Sequence, residues 1–207
     1  MEKLLEGIVE FKRNDFEKHK ELFKDLGRRQ NPHTLFIGCS DSRIDPNLIT
    51  KALPGDLFLV RNIANIVPIY RESNEFLSTT SAIEYAVCVL NVKNIVVCGH
   101  SNCNGCASLF LPPESFKKIP HTRKWLELSL KVKEQVLKQI PDEDDQAREW
   151  LTEQINIVEQ IKHLLTYPFI REKYKVKEIT IYGWYYIIET GEIYNYNKEK
   201  KYFELIN

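Results

Sequence analysis

Two short segments of the sequence carry side chains that bind metal ions, Cys39–Arg43 (CSDSR) and His100–Cys103 (HSNC). Each segment directly follows an apolar, strand-like run. Two thiolates and one imidazole are enough to hold a zinc ion, which takes four ligands. Three protein donors leave one position for water or substrate, and this arrangement is typical of catalytic rather than structural zinc. The pattern therefore favours an enzyme.

Two charged residues in the first segment strengthen this interpretation. Asp41 lies two residues after Cys39, so its carboxylate could contact the open position of a metal ion. Arg43 carries a planar guanidinium group that could hold that carboxylate through two parallel hydrogen bonds. We expect the pair to act beside the metal.

The strands that must position these side chains can be predicted from short apolar runs. His33–Gly38 predicts a buried strand that delivers Cys39 at its C-terminal edge, and Asn94–Gly99 predicts another that ends on His100. Leu57–Val60 predicts a further buried strand after a turn at 54–56. Ligands in open α/β sheets bind at the C-terminal edge of the strands. The two metal-binding segments are therefore expected to meet there.

The remaining pattern predicts an α/β fold. Strands alternating with helices imply a mostly parallel β-sheet flanked by helices, with a final hairpin as an antiparallel edge. Pro141 separates the last two helices, and Asp142 is a plausible N-cap. We expect one domain over 1–207, with an N-terminal helical arm at 1–30 and the core at 31–207. The other predicted elements are helices at 2–29 (broken near Asn14), 46–53, 73–90, 121–140 and 142–168, and strands at 178–182, 185–189 and 192–196.

Composition limits the classes of partner. The 207 residues contain 29 Lys and Arg and 29 Asp and Glu, so nothing favours nucleic acid or a membrane surface as partner. No apolar run reaches the length of a membrane span, and the N-terminus lacks a signal-peptide pattern. Three cysteines outside the metal-binding segments, Cys88, Cys98 and Cys106, make an odd remainder that fits a reducing compartment. We expect a cytoplasmic location.

The two segments and their surroundings resemble the β-class carbonic anhydrases. Further sequence motifs similar to those of this family are Pro-Gly-Asp at 54–56, Val-Arg-Asn-Ile-Ala-Asn at 60–65, Ile-Glu-Tyr at 83–85 and Tyr-Gly-Trp at 182–184. The resemblance implies that Cys39, His100 and Cys103 hold one Zn²⁺ per chain. It also implies that Asp41 and Arg43 form the dyad beside the metal.

The resemblance extends to residues of the substrate pocket, in the form found in the plant-type branch. Gln30, Phe58 and Tyr85 match that pocket by spacing, and Gln30 could come from a neighbouring subunit. Asn104 stands where the family usually has Gly, at a backbone N–H that approaches substrate. If this position needs a positive φ, Asn is one of the few other residues that accept it.

By resemblance, the activity is the reversible hydration of carbon dioxide to bicarbonate and a proton, in a homodimer or homotetramer. Two alternatives stay open. One is a zinc hydrolase of carbon disulfide or carbonyl sulfide, and the other is a non-catalytic, zinc-stapled subunit. A third possibility concerns Cys103 and Cys106, because a Cys-x-x-Cys pair can also form a redox motif or a different zinc half-site.

Overall fold

A six-stranded sheet in the order β2-β1-β3-β4-β5-β6 forms the centre of the protein. The computed structural model describes residues 1–140 and 145–207. Strands β1 to β4 pair in parallel, while β5 and β6 add two antiparallel strands at one edge. The predicted fold class is thereby confirmed. The strands are β1 Thr34–Cys39, β2 Leu57–Asn62, β3 Asn94–His100, β4 Thr180–Tyr186, β5 Ile193–Asn197 and β6 Tyr202–Leu205.

The helices surround this sheet and agree in part with the sequence prediction. The break near Asn14 is confirmed, because the first helix ends at Arg13. The helix predicted to reach 168 ends at Leu164, and Pro168 begins the next helix. The predicted N-cap Asp142 lies outside the described residues. The helices are α1 Glu2–Arg13, α2 Asp15–Lys18, α3 Lys20–Leu26, α4 Pro46–Thr50, α5 Ser78–Glu84 (continued by a π-helical turn, Tyr85–Val89), α6 Asn104–Ala107, α7 Pro120–Leu126, α8 Leu130–Gln139, α9 Asp145–Leu164 and α10 Pro168–Lys175.

Two strand predictions were wrong: the break within β4 and the burial of β2. β4 is continuous through Gly183, where the sequence indicated a break between two strands. A Cβ atom at Gly183 would lie 2.8 Å from Ile161 Cδ1 and 2.9 Å from Ile157 Cγ2, so this glycine permits close approach of α9. β2 was predicted to be buried, but it is the edge strand, and Leu59 is 42% exposed. The short strand β6 was not predicted.

The core divides between the two faces of the sheet because strand side chains alternate. On one face, α9 packs on β3 and β4 through Ile157, Ile161 and Leu164. On the other face, a smaller cluster contains Phe36, Val96 and Cys98, with Trp184 packed against it. Among the described residues, no helix is both long and apolar enough to cross a membrane.

The N-terminal helix α1 extends from this core as an arm. None of its residues is buried within the chain. Several of its exposed side chains are nevertheless apolar and form an uncovered hydrophobic surface on the helix. These residues are Leu4, Leu5, Ile8, Val9 and Phe11.

Candidate zinc site

The three predicted metal ligands meet at the C-terminal edge of two neighbouring strands. Cys39 ends β1 and His100 ends β3, and these strands pair in parallel. Cys103 follows three residues later, immediately before α6. The two sulfur atoms lie 4.0 Å apart, and the donor atoms of all three residues lie within 4.8 Å of one another. All three side chains are buried.

The hydrogen bonding of His100 leaves one ring nitrogen available to a metal ion. Its Nδ1 lies 2.9 Å from the carbonyl oxygen of Ser101. A carbonyl can only accept, so Nδ1 carries the hydrogen and Nε2 presents a lone pair. Nε2 is buried and has no hydrogen-bond partner in the described part of the chain. A buried acceptor without a partner is costly, and a metal ion at this point would satisfy it.

The two thiols also fit a cation. A hydrogen bond with Cys103, followed by burial, raises the pKa of Cys39 from 9.0 to about 12. A hydrogen bond with Cys106, together with burial, raises the pKa of Cys103. Without a cation, these raised pKa values favour the protonated thiols. A bound cation would favour the thiolates instead, because the thiolate is the form that binds metal. Across residues 1–140 and 145–207, the group of donors that could share a metal ion is Cys39, His100 and Cys103, without Cys106.

Asp41 and Arg43 lie directly beside the three donors. Arg43 Nε donates to Asp41 Oδ1 at 2.9 Å, and its Nη2 donates to Oδ2 at 2.7 Å. The hydrogen bonds from Arg43 hold the pKa of Asp41 well below its usual range. Asp41 Oδ2 also lies 3.8 Å from His100 Nε2. The structure thus presents an ionised, oriented carboxylate at the donor cluster.

A second arginine fixes the backbone that carries these groups. Arg61, near the end of β2, donates from Nε to the Cys39 carbonyl at 2.9 Å. Its Nη2 donates to the Asp41 carbonyl at 2.7 Å. Both contacts are to main-chain oxygens, so Arg61 holds the loop that leaves β1.

The predicted pocket residues are only partly brought together within one chain. The rings of Phe58 and Tyr85 have centroids 6.0 Å apart. Phe58 pairs with Leu35, four residues before Cys39, which places it about 13 Å along the strand from the donor cluster. Gln30 is exposed and precedes β1, at the opposite end of that strand from Cys39.

Asn104 is next to Cys103, and its position does not need a positive φ. Asn104 begins the helical backbone of α6, and the positive φ of this turn belongs to Asn102, at 56°. The residue that must be glycine for steric reasons is Gly105. A Cβ atom there would lie 2.9 Å from Ala64 Cβ and 3.0 Å from the Ala64 nitrogen.

Sequence reasoning missed a buried glutamate behind the site. Glu153 on α9 accepts a hydrogen bond from the Cys103 backbone N–H at 2.7 Å and another from the Tyr185 hydroxyl at 2.6 Å. Burial raises the pKa of Glu153 from 4.5 to about 7. A signal was available, because Glu153 lies one turn before Ile157 on the apolar face of a predicted helix.

A loop after β2 was also missed. Ala64 has a φ of 59°, which is unusual for a residue other than glycine, and it packs in the same cluster as Cys39 and Cys103. Trp125 donates to the Ile63 carbonyl and Asn156 donates to the Ala64 carbonyl, each at 2.9 Å. Side chains from the helices therefore hold this strained loop against the site.

Comparisons with known proteins agree with the geometry. A family model described as carbonic anhydrase matches residues 34–193. A carbonic anhydrase of Helicobacter pylori (strain J99) is 45% identical over 204 residues, which cover 97% of this chain and 92% of the relative. A solved structure of the β-carbonic anhydrase CcaA is 35% identical and has a TM-score of 0.95, with 100% of this chain and 99% of that chain covered.

The chain belongs to the β-carbonic anhydrase family. The resemblance identified from the sequence motifs and the prediction of an enzyme are thereby confirmed. A solved tetrameric β-carbonic anhydrase from Sordaria macrospora is similar at 32% identity and a TM-score of 0.82, covering 94% of this chain and 95% of that chain.

Proposed function

We propose that the protein catalyses the reversible hydration of carbon dioxide to bicarbonate and a proton, with one zinc ion held by Cys39, His100 and Cys103. The observation that supports this most directly is the buried Nε2 of His100, which has no hydrogen-bond partner among the described residues and lies in a cluster with two sulfurs. The ionised Asp41 beside that cluster adds a group that a purely structural zinc site does not need. Membership of the carbonic anhydrase family supports the reaction.

The chain's own residues orient the reacting water and control its proton. The chemistry that a bound zinc ion supplies is a lower pKa for a water molecule, which yields a nucleophile near neutral pH. Two thiolates would donate more electron density to the metal than imidazoles would, which makes a metal-bound water harder to ionise. Neighbouring groups must therefore help to ionise it. Asp41 accepts a hydrogen bond from the water and fixes its direction, while Arg43 keeps Asp41 ionised and in place. The released proton passes to buffer.

The substrate pocket is completed in this proposal by a second copy of the chain. Phe58 and Tyr85 offer an apolar surface suited to carbon dioxide, and Gln30 offers an amide. All three lie away from Cys39 in their own chain, and Tyr85 is 44% exposed. Asn104, beside Cys103, lines the pocket from the zinc side. The protein is therefore proposed to be a homodimer or homotetramer, and its cytoplasmic location stays a prediction.

A stopped-flow hydration assay on metal-analysed protein tests this function. We expect about one zinc per chain, rapid hydration of carbon dioxide, and loss of both in Cys103→Ser. Cys106→Ser is the matched control, because it removes a buried thiol outside the donor group and should retain zinc. Zinc-containing protein that hydrolyses only carbon disulfide or carbonyl sulfide would contradict the proposal. Zinc-containing protein without any activity would favour the non-catalytic alternative.

A further inference from the structure

Glu153 is buried between two hydrogen-bond donors that come from different parts of the chain. Its side chain is only 2% exposed, although a carboxyl group is expensive to remove from water. Oε1 accepts from the Cys103 backbone N–H at 2.7 Å, and Oε2 accepts from the Tyr185 hydroxyl at 2.6 Å. Each carboxyl oxygen therefore has a donor, and one of those donors belongs to a proposed zinc ligand.

Close packing of α9 on the sheet sets the position of Glu153. A Cβ atom at Gly99 would lie 2.8 Å from Ile157 Cδ1, so the absence of a side chain there lets the helix approach β3. Glu153 lies one helical turn before Ile157 and so shares its face of α9. Tyr185 lies two residues after Gly183 on β4, on the same face of the sheet. Helix and strand together hold both groups beneath residues 100–103, which we call the ligand turn because His100 and Cys103 are its ends.

The rest of the ligand turn is fixed by contacts at other residues. Ser101 is held by its backbone N–H, which donates to the Tyr186 carbonyl at 2.9 Å. The Asn102 carbonyl accepts from Arg43 Nη2 at 2.9 Å. At Cys103 itself, the carbonyl accepts from the Ala107 N–H at 3.0 Å, and the backbone N–H donates to Glu153. Without Glu153, that N–H would lose its buried acceptor, and the peptide between Asn102 and Cys103 would be held only at its carbonyl, by Arg43, so the direction of the thiol would be less closely fixed.

We infer that Glu153 and Tyr185 are positioning residues, which act through the Cys103 backbone to fix the direction in which this ligand presents its sulfur to zinc. The inference rests on the proposed zinc site and adds to it two residues that touch neither metal nor substrate. Loss of a hydrogen-bonding partner behind a metal ligand typically weakens metal affinity or activity by about 10 to 100-fold. The inference therefore predicts an effect on zinc retention as well as on turnover.

The test is a measurement of zinc affinity by competition with a colorimetric chelator, together with the visible spectrum of the cobalt-substituted protein. Glu153→Ala should bind zinc about 10 to 100-fold more weakly and should alter the thiolate-to-cobalt absorption bands. Glu153→Gln should be close to wild type. Its amide oxygen can still accept from the Cys103 N–H, and its amide nitrogen can donate to the Tyr185 oxygen. The zinc affinity of Tyr185→Phe should lie between those of Glu153→Ala and Glu153→Gln.

Glu159→Ala is the matched control. Glu159 is on the same helix and is also nearly fully buried, but its partners are Lys131 and Lys162. This variant should lower the unfolding temperature and leave zinc affinity and the cobalt spectrum unchanged. If Glu153→Ala does not fold, Tyr185→Phe decides the question, because it removes one oxygen atom and keeps the ring.

The outcomes separate this inference from the proposed function. Equal zinc affinity in wild type, Glu153→Ala and Tyr185→Phe overturns the inference and leaves the zinc site intact. An equal loss of affinity in Glu153→Ala and Glu159→Ala also overturns it, because the effect would then follow stability alone. Wild-type protein that binds no zinc overturns both the inference and the proposed function.

Discussion

Arg43 donates two hydrogen bonds to the carboxylate of Asp41, from Nε to Oδ1 at 2.9 Å and from Nη2 to Oδ2 at 2.7 Å. The same Nη2 donates to the Asn102 carbonyl at 2.9 Å. One guanidinium group therefore joins the segment that carries Cys39 to the segment that carries His100 and Cys103. A lysine at this position could not reproduce this geometry, because its ammonium group cannot form the same planar pair of bonds.

Replacement of Arg43 should reduce turnover without removing zinc. We expect Arg43→Lys and Asp41→Ala each to keep about one zinc per chain and to lose about 10 to 100-fold in hydration kcat, because the reacting water is no longer oriented. Stopped-flow rates with zinc analysis of the same samples check this. Arg71→Lys, at an exposed ion pair with Glu75, is the control and should change little. Near wild-type rates in both dyad variants would remove the dyad from the mechanism.

Zinc binding should release about two protons per chain at neutral pH. Without a cation, neighbouring thiols and burial raise the pKa of Cys39 to about 12 and also raise that of Cys103, so both are protonated. Zinc binds the thiolates, and the protons must leave. Calorimetric titration of metal-free protein in buffers of different ionisation enthalpy measures this number. Zinc affinity should also rise with pH, and an affinity that does not depend on pH would contradict thiolate ligation.

A methyl group at position 105 should disturb the zinc site through the loop after β2. In Gly105→Ala, the new Cβ would lie within 3.0 Å of the Ala64 nitrogen, a backbone atom that cannot move aside easily. We expect a loss of about 1 to 3 kcal/mol in the free energy of unfolding and lower activity. Gly27→Ala is the control, since its nearest contact would be 3.4 Å and its φ is −62°. Denaturant unfolding that shows equal stability for both variants would argue against this close contact.

The ion-paired Glu159 should stabilise the protein in a defined pH range. Burial disfavours its charged form, but hydrogen bonds from Lys131 and Lys162 outweigh this and lower its pKa from 4.5 to about 2. A lowered carboxyl pKa adds stability above the unfolded value that is lost as pH falls toward the folded value. Glu159→Gln should therefore cost roughly 2 kcal/mol at neutral pH, a value reduced because both lysines are partly exposed.

The stability difference between wild type and Glu159→Gln should shrink as pH falls from 4.5 toward 2. Urea unfolding at several pH values measures it, and the use of a difference cancels the effect of acid on zinc binding. A difference that stays constant over this range would show that the ion pairs do not carry the stability.

The exposed apolar side of α1 should form a subunit contact. Ile8→Glu places a charge in this surface, where Ile8 is 63% exposed in the single chain, and should weaken the proposed contact between subunits. Glu10→Lys, an exposed position on the opposite side of the same helix, should leave the assembly unchanged. Light scattering at micromolar concentration distinguishes the two. Wild-type protein that is monomeric and fully active would contradict both the contact and the shared pocket.

The sequence determined the candidate ligands and the fold class because both can be read from short stretches of neighbouring residues. Cys39 and His100 each end an apolar run, and parallel strands must end at the same edge of a sheet. Once β1 and β3 are neighbours, the donors converge without any further information. The Asp41–Arg43 pair was predictable for the same reason, since a single residue separates its members.

The tertiary structure decided the features that depend on contacts distant in sequence. Glu153 contacts Cys103 across 50 residues, and only the packing of α9 on β3 and β4 shows which face of that helix is turned toward the ligand turn. The continuity of β4 through Gly183 follows from the same packing, because a glycine alone is compatible with a break or with close approach. Periodicity shows that a helix has an apolar face, whereas the partner of that face is set by the whole chain.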